Sequence, residues 1–172
     1  MIEAKPNEEV FFFDESRFGT HSKIGHGWFK KGSRTQIKVK LGFQNFYLYS
    51  AVNPRTGEDF TLIASNTNTV YFNAYLEWFG QALGGRQVIM IVDGAGWHKS
   101  KDLMVPKNIS IVFLPPYSPE LNPVERLWRF IKDNTIKNKI FDDLDELEEA
   151  LRCFFETLKP NIVSSICTTD YL

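Results

Sequence analysis

Short apolar runs punctuate the chain, and two of them end at an aspartate. Residues 10–13 (VFFF) precede Asp14, and residues 87–92 (QVIMIV) precede Asp93. Because neither run alternates apolar with polar residues, both are typical of strands buried on both faces of a sheet. Residues 109–114 predict a further buried strand of the same kind.

The first half of the chain contains further strand signals separated by turns. Residues 36–52 are rich in β-branched and aromatic side chains and are interrupted at Gly42, which predicts two strands, and residues 60–64 predict another. Residues 53–57 (NPRTG) have the composition of a turn, and residues 19–32 that of a loop or hairpin. These early strands are therefore expected to follow one another through hairpins.

Helical signals lie between and after the buried strands. A four-residue apolar spacing predicts a helix over residues 66–83, with a stripe formed by Val70, Ala74, Trp78 and Ala82. Other patterns predict a short helix over residues 99–104, a helix that starts near Pro123 and a last helix that starts near Leu144. The order of elements favours one mixed α/β domain, with hairpins first and parallel strands later.

Composition favours a soluble single domain. The 172 residues are 43% hydrophobic and 24% charged, and the length is that of one ordinary domain. The two cysteines lack metal-type spacing, the amino terminus is polar, and the apolar runs are far shorter than the roughly 20 residues of a membrane span. We therefore expect residues 1–172 to form one domain in a reducing, cytoplasmic setting.

The charge distribution is more informative than the net charge of −1. Seven Lys or Arg, two His and no Asp or Glu lie between Arg17 and Lys40, whereas six of the eight residues 142–149 are acidic. The basic segment favours a phosphate-binding hairpin, and the alternative is a solvated surface hairpin. The acidic segment is most simply interpreted as the start of a helix.

Asp14 and Asp93 are candidates for chemistry because open α/β sheets bind ligands at the carboxyl ends of their strands. The alternative for each is a turn or cap residue. Glu15 follows Asp14, and neighbouring side chains on a strand point to opposite faces, so the residues alone do not choose between the two acids. Small residues at 94–96 (GAG) would let a ligand approach the backbone beside Asp93.

Glu125 has a complete structural explanation of its own. Asn122 is a favourable N-cap and Pro123 a favourable first helical residue, so Glu125 falls at the third helical position. A glutamate there can accept a hydrogen bond from the amide of the cap residue, as in a capping box. Glu120 lies before the cap and is expected to be solvated.

Together, the two aspartates and Glu125 form a set of three hard oxygen ligands on three elements. Mg²⁺ prefers such ligands and usually binds through one or two carboxylates plus phosphate and water. Two ions roughly 3.5–4 Å apart can stabilise both the attacking and the leaving oxygen of a phosphodiester displacement. The combination favours a magnesium site over three unrelated caps, and we expect the carboxylates to converge within metal-bridging distance.

Three sequence blocks resemble the signature blocks of the mariner-like DDE transposases, in particular their bacterial insertion-sequence relatives. The blocks are FFFDESRFG, IVDGAGWHKS and FLPPYSPELNPVERLWRFIK. The third is the most specific, because a PPYSPELNP loop that leads into a helix with E-x-x-W is a strong signal. The blocks occur in order over residues 11–132, and the predicted elements agree elsewhere, so the resemblance covers nearly the whole chain.

The resemblance implies an RNase H-like fold: a five-stranded mixed sheet, three strands antiparallel and two parallel, flanked by helices. It implies a catalytic triad of Asp14, Asp93 and Glu125, and so selects Asp14 over Glu15. In such enzymes two Mg²⁺ ions (or Mn²⁺) drive cleavage at the transposon ends, and the freed 3′-hydroxyl attacks target DNA, typically at TA. The resemblance also implies double-stranded DNA as the partner and a homodimer on paired ends.

Several residues in or near these blocks are expected to contact DNA. They are Arg17, Lys23, Lys30, Lys31, Arg34, His98, Lys99, Tyr117, Arg126 and Arg129. The alternative for His98 is a loop histidine that bonds the backbone, and for Tyr117 a residue that stiffens the proline-rich loop. Trp128 is expected to pack in the core.

Two departures from the family pattern are visible. Gly94 stands where many relatives carry Asn, and the N-terminal helix-turn-helix domain of full-length relatives is expected to be absent from this chain. One hypothesis is that an upstream reading frame encodes that domain. The alternatives to a transposase are another RNase H-like nuclease or resolvase, and an inactive domesticated remnant that only binds DNA.

Overall fold

A five-stranded mixed sheet forms the centre of the computed structural model, which describes residues 9–21, 31 and 44–169. The elements in chain order are β1 (Glu9–Gly19), β2 (Asn45–Val52), β3 (Asp59–Ala64), α1 (Thr69–Ala82), β4 (Val88–Val92), β5 (Ile109–Phe113), α2 (Val124–Thr135), α3 (Leu144–Thr157) and α4 (Pro160–Cys167). Short 3₁₀ helices cover Gly96–Lys99 and Pro119–Leu121.

The strand order is β3-β2-β1-β4-β5. β2 pairs antiparallel with both β1 and β3, whereas β4 pairs parallel with both β1 and β5. This confirms the predicted sheet, including the change from antiparallel hairpins to parallel strands. The part of the predicted strands that lies in residues 36–43 falls outside the described residues.

β1 is longer than the hydropathy pattern predicts. The apolar run ends at Phe13, but the strand continues to Gly19 because residues beyond Phe13 pair with β2, with Asp14 opposite Ser50. Pairing with the parallel strand β4 stops at Phe12, which lies opposite Ile91. Asp14 was predicted to lie at the end of its strand. It lies instead within β1, just beyond the point where β1 separates from β4.

Each face of the sheet has its own core, so helices cover both faces as predicted. Phe11 and Phe13 of β1 face α1 and pack with its side chains. Phe12 and Phe18 point the other way and pack against α2, α3 and α4. β4 is buried along its whole length because it lies inside the sheet with a core on either face.

α1 confirms the predicted helix, but the stripe that revealed it is not the buried face. The buried residues are Phe72, Tyr75, Leu76 and Phe79, whereas the stripe from Val70 to Ala82 is exposed. A strict four-residue spacing drifts around a helix of 3.6 residues per turn, so it marks the core poorly over three turns. The helix starts at the Asn68 cap, whose side chain accepts from the amides of Val70 and Tyr71.

The predicted helix over residues 99–104 is wrong. A 3₁₀ helix instead covers Gly96–Lys99, and the chain beyond it is bonded to α1. The Asn73 side chain donates to the Asp102 carbonyl and accepts from the Met104 amide, both at 2.9 Å, so it engages backbone groups that a helix would pair internally. The last predicted helix is confirmed as α3, which Asp143 caps, and α4 was not predicted.

None of the helices in the described ranges combines the length and the apolar character needed to cross a membrane.

Candidate active site

An open pocket of about 360 Å³ is lined by all three predicted carboxylates. Asp14 comes from β1, Asp93 from the residue after β4, and Glu125 from the first turn of α2. The other lining residues come from the loops that follow β4 and β5, namely Gly94, Ala95, Lys99, Leu114, Pro115, Pro116, Tyr117, Ser118, Pro119 and Asn122. The pocket thus brings together side chains that are far apart in the sequence.

Asp14 is partly buried and faces α2. The indole Nε1 of Trp128 donates to its Oδ2 over 2.9 Å. Burial raises the pKa of Asp14 well above its ordinary value, and the negative charges of Glu125, Glu15 and Asp93 raise it further. Trp128 packs in the core as predicted, and the structure adds a polar role for its ring.

Asp93 has the opposite electrostatic surroundings. Its Oδ1 is bonded to Nδ1 of His98 at 2.7 Å and accepts from the Ala95 amide at 3.1 Å. The hydrogen bond from His98 is the largest influence on the pKa of Asp93, which lies below its ordinary value, and Lys99 lowers it further. The carboxylate is half exposed to the pocket, so its charge is compensated without being buried.

His98 is an interior residue, not the DNA-contacting loop residue that the sequence predicted. Its side chain is 1% exposed, and its Nε2 lies 2.9 Å from Oε1 of Glu15. Burial alone would lower the pKa of His98, but hydrogen bonds to Asp93 and Glu15 outweigh this effect and raise the pKa to about 9. The ring is therefore a buried cation between two carboxylates, and the backbone-bonded alternative is not observed either.

Glu15 and Asp14 point to opposite faces of β1, as the alternation of a strand requires. Asp14 meets Trp128 on the α2 face, whereas the Glu15 side chain is 6% exposed on the α1 face. Trp97 Nε1 and His98 Nε2 both reach Oε1 of Glu15 at 2.9 Å. Asp14 thus lines the pocket, whereas Glu15 is linked to Asp93 through His98.

The first turn of α2 determines where Glu125 lies. The helix begins at Val124, one residue later than predicted, and Asn122 Oδ1 accepts from the Val124 amide at 3.2 Å. The amide of Asn122 donates to the Pro119 carbonyl, so the capping-box bond predicted for Glu125 is replaced. Glu125 is exposed on the pocket wall, near the favourable N-terminal end of the helix dipole.

The buried Asn122 side chain also connects α2 to β1. Its Nδ2 donates to the carbonyl of Phe13 at 2.9 Å, directly before Asp14. One amide group therefore contacts both the strand that carries Asp14 and the first turn that carries Glu125. The E-x-x-W pattern and the Asn-Pro pair were the sequence signals for this arrangement, but neither identifies the Phe13 carbonyl as a partner.

The three carboxylates line one pocket but do not converge on one point. Among the described residues, no group of three His, Cys, Asp or Glu side chains is close enough to hold a metal ion, so the expected convergence is not met. Asp14 is bonded to Trp128 and Asp93 to His98, and like charges repel. The donor set nevertheless fits a hard divalent cation, since its oxygens are those Mg²⁺ prefers. Burial is the largest cause of the raised pKa of Asp14, and a cation would offset the further contribution of the neighbouring carboxylates.

Lys99 brings a positive charge to this acidic pocket. Its Nζ lies 5.1 Å from the centre of the Phe113 ring. A Cβ placed at Gly94 would lie 3.0 Å from the same Nζ, so the absence of a side chain at position 94 leaves room for the lysine. Tyr117, fully exposed with a φ of 58°, lies on the same wall.

The other predicted DNA contacts are distributed differently. Arg129 lies with Glu125 and Lys132 in an adjoining pocket. Arg126 instead donates to the Thr168 carbonyl and so contacts the end of α4. Arg17 and Lys31 are exposed. Three of the predicted contacts, Lys23, Lys30 and Arg34, lie outside the described residues.

Comparison with known proteins identifies the class that this fold and site define. The chain resembles solved transposase catalytic domains, and its fold is RNase H-like. The family model described as DDE superfamily endonuclease matches residues 9–148. The chain therefore belongs to the DDE superfamily endonuclease family, which confirms the resemblance noted in the sequence.

Two curated relatives are similar in sequence. The uncharacterized protein y4pE/y4sA of Sinorhizobium fredii is 42% identical over 102 residues, which cover 59% of this chain and 76% of that protein. The uncharacterized 39 kDa protein of insertion element IS630 from Shigella sonnei is 26% identical over 165 residues, which cover 93% of this chain and 48% of that protein. The chain thus spans about half the length of the Shigella relative.

Solved structures of the Mos1 mariner transposase share the fold. The Mos1 strand transfer complex matches with a TM-score of 0.73 at 16% identity, over 94% of this chain and 51% of that chain. The Mos1 paired-end complex with Mg matches with a TM-score of 0.74 at 15% identity, over 92% of this chain and 51% of that chain. At this level of identity the likeness concerns the fold.

Proposed function

We propose that this chain is the catalytic domain of a transposase that cleaves DNA phosphodiester bonds at transposon ends, using divalent metal ions, and transfers the 3′-hydroxyl into target DNA, at TA. The observation that carries the proposal is the meeting of Asp14, Asp93 and Glu125 on one open pocket wall. Membership of the DDE superfamily endonuclease family supports the class of reaction.

In this proposal Asp14, Asp93 and Glu125 hold the metal ions, two Mg²⁺ or, as substitutes, Mn²⁺. When bound, such ions supply positive charge to the attacking and leaving oxygens of the displacement. The similar Mos1 structures include paired-end complexes with Mn and with Mg, which supports the choice of metal.

The remaining residues of the pocket orient these carboxylates and the DNA backbone. Trp128 holds Oδ2 of Asp14, and Asn122 sets where α2 begins relative to β1. Lys99, on the pocket wall, and Arg129, beside Glu125, are suited to contact phosphates. Tyr117 presents its ring at the pocket mouth, where it would contact DNA.

The partner in this proposal is double-stranded DNA, both transposon ends and target, bound by a homodimer. The similar Mos1 structures are described as strand transfer and paired-end complexes, which supports paired ends and two protomers. A helix-turn-helix domain, encoded with this one or in an upstream frame, would supply recognition of the ends. The protein would act in the cytoplasm, on nucleoid DNA.

The test is strand nicking and strand transfer with Mg²⁺, on this chain and on a fusion to a DNA-binding domain. Asp93→Asn and Glu125→Gln are expected to abolish both reactions, whereas Glu120→Gln is the matched control, because Glu120 is an exposed carboxylate in the loop before the same helix. Wild-type activity in either triad variant would contradict the assignment. DNA binding without any nicking by the wild type would favour an inactive remnant.

A further inference from the structure

Glu15 follows Asp14 in β1 and has no role in the proposed reaction, yet its side chain is buried and hydrogen-bonded. Its side chain is 6% exposed, and its Oε1 is bonded both to Trp97 Nε1 and to His98 Nε2. Burying a carboxylate is costly unless it is hydrogen-bonded or paired. A buried acid beside the active pocket therefore calls for a functional explanation as well as a structural one.

His98 transmits the position of Glu15 to Asp93. The imidazole packs against Phe72, with ring centroids 4.5 Å apart, and against Phe13, at 5.6 Å. Its two nitrogens are bonded in opposite directions, to Glu15 at 2.9 Å and to Asp93 at 2.7 Å. Because the ring is planar and enclosed, it cannot turn without losing both bonds.

The Asp93 carboxylate is fixed through one of its two oxygens. His98 and the Ala95 amide both bond to Oδ1, while the carboxylate remains half exposed on the pocket wall. This leaves Oδ2 as the oxygen suited to face a ligand in the pocket. Partners that orient a metal ligand in this way commonly change metal affinity by roughly 10- to 100-fold when they are removed.

We propose that Glu15 is a positioning residue which, through His98, holds the Asp93 carboxylate with Oδ2 turned toward a divalent ion. This inference rests on the proposed function, since it takes Asp93 as a metal ligand. β1 then acts on both aspartates: it carries Asp14 on one face and orients Asp93 from the other. Glu15 touches neither the ion nor the DNA.

The experiment measures Mn²⁺ binding to the 172-residue chain by the electron paramagnetic resonance signal of the free ion. Glu15→Ala is expected to weaken binding by about 10- to 100-fold. Glu15→Gln is expected to bind within a few-fold of wild type, because an amide oxygen can still accept from both Trp97 and His98. Circular dichroism establishes that each variant is folded at the temperature of measurement.

Two controls isolate the link through His98. Trp97→Phe removes the other donor to Glu15 and is expected to leave Mn²⁺ binding nearly unchanged. Glu58→Ala alters an acid that pairs with Arg86, outside the pocket, and is expected to do the same. If Glu15→Ala does not fold, His98→Gln carries the test, because it interrupts the link while Glu15 keeps its bond to Trp97.

The outcomes separate this inference from the proposed function. If Asp93→Asn and Glu125→Gln bind Mn²⁺ as well as wild type, the proposed metal site itself is wrong. If those variants lose binding while folded Glu15→Ala keeps it, only the positioning role is overturned. A Glu15→Gln variant as weak as Glu15→Ala would also overturn it, because charge and not orientation would then be what Asp93 requires.

Discussion

Asp14 and Asp93 share a pocket wall, yet their surroundings differ in most physical respects. Asp14 is partly buried, accepts from the neutral indole of Trp128, and has a raised pKa. Asp93 is half exposed, is bonded to the cationic ring of His98, and has a lowered pKa. The pocket therefore contains one carboxylate that resists ionisation and one that favours it.

The largest expected effect is on DNA nicking, and it tests the metal-binding role proposed for both aspartates. Asp14→Asn and Asp93→Asn are each expected to lower the rate of Mg²⁺-dependent DNA nicking by at least about 100-fold, since removing one preorganised charge-stabilising group typically costs 10²- to 10³-fold. Single-turnover nicking assays at saturating Mg²⁺ measure the rates. A large loss in one variant alone would show that the pocket uses the two residues unequally.

The next effect concerns the cation beside Asp93. Because the pKa of His98 rises from an ordinary value of about 6.5 to about 9 in the folded protein, its contribution to stability is complete below about pH 6.5 and is lost as pH rises through about 9. We expect wild type to lose on the order of 3 kcal/mol relative to His98→Gln across this range. Urea denaturation at pH 6, 8 and 10 measures the difference, and parallel curves would contradict the charged state of the ring.

A smaller effect has opposite signs at the two aspartates. The raised pKa of Asp14 means that stability falls as pH rises from the ordinary carboxyl range through that raised pKa, so Asp14→Asn is expected to raise Tm at pH 7. The lowered pKa of Asp93 gives stability that is present above the ordinary range and lost as pH falls through the lowered pKa, so Asp93→Asn is expected to lower Tm.

Both shifts in Tm are expected to be a few degrees, since about 1 kcal/mol corresponds to roughly 2–4 °C in a chain of this size. Differential scanning calorimetry without divalent ions measures them. Shifts of Tm with the same sign in both variants would contradict the opposite pKa shifts of Asp14 and Asp93. Added Mg²⁺ is expected to stabilise wild type more than Asp14→Asn, because the variant lacks one proposed ligand.

The smallest effect calibrates the others with an ion pair outside the pocket. Arg86 bonds to Glu9 and Glu58, and the three side chains are 34–42% exposed. The hydrogen bond from Arg86 lowers the pKa of Glu58, so its contribution is present above the ordinary glutamate range and lost as pH falls through the lowered pKa. Glu58→Gln is expected to cost about 0.5 kcal/mol at pH 7 by urea denaturation and less at pH 3, as for exposed pairs. A cost as large as that of a pocket variant would mean that the Tm shifts there are not specific.

Local pattern predicted the order and the type of most elements because strands and helices leave periodic signals in a sequence. It ended β1 too early, since hydropathy does not reveal that β2 pairs with the strand beyond Phe13. It located α1 but did not identify the buried face around Tyr75, because the four-residue steps that revealed the helix lie on its exposed side. Both errors concern tertiary partners, which local pattern does not contain.

The sequence predicted some features of the site and missed others, depending on the residue. The family resemblance pointed to the three carboxylates, and the structure brings them to one pocket, which leaves their roles a prediction. The burial of His98 was not predictable, because a histidine in a short polar loop carries no periodic signal. The bond from Asn122 to the Phe13 carbonyl was equally hidden, since it joins residues 109 positions apart.

Three consecutive residues of β1 contact all three parts of the pocket: the Phe13 carbonyl holds the start of α2, Asp14 lines the wall, and Glu15 reaches Asp93 through His98. Since side chains alternate along a strand, deleting or inserting one residue before Phe13 would exchange the two acids between the faces. Residues in this strand can therefore be substituted more safely than the strand can change its length. Homologues that diverge in sequence are expected to keep the spacing between the start of β1 and Asp14 free of insertions and deletions.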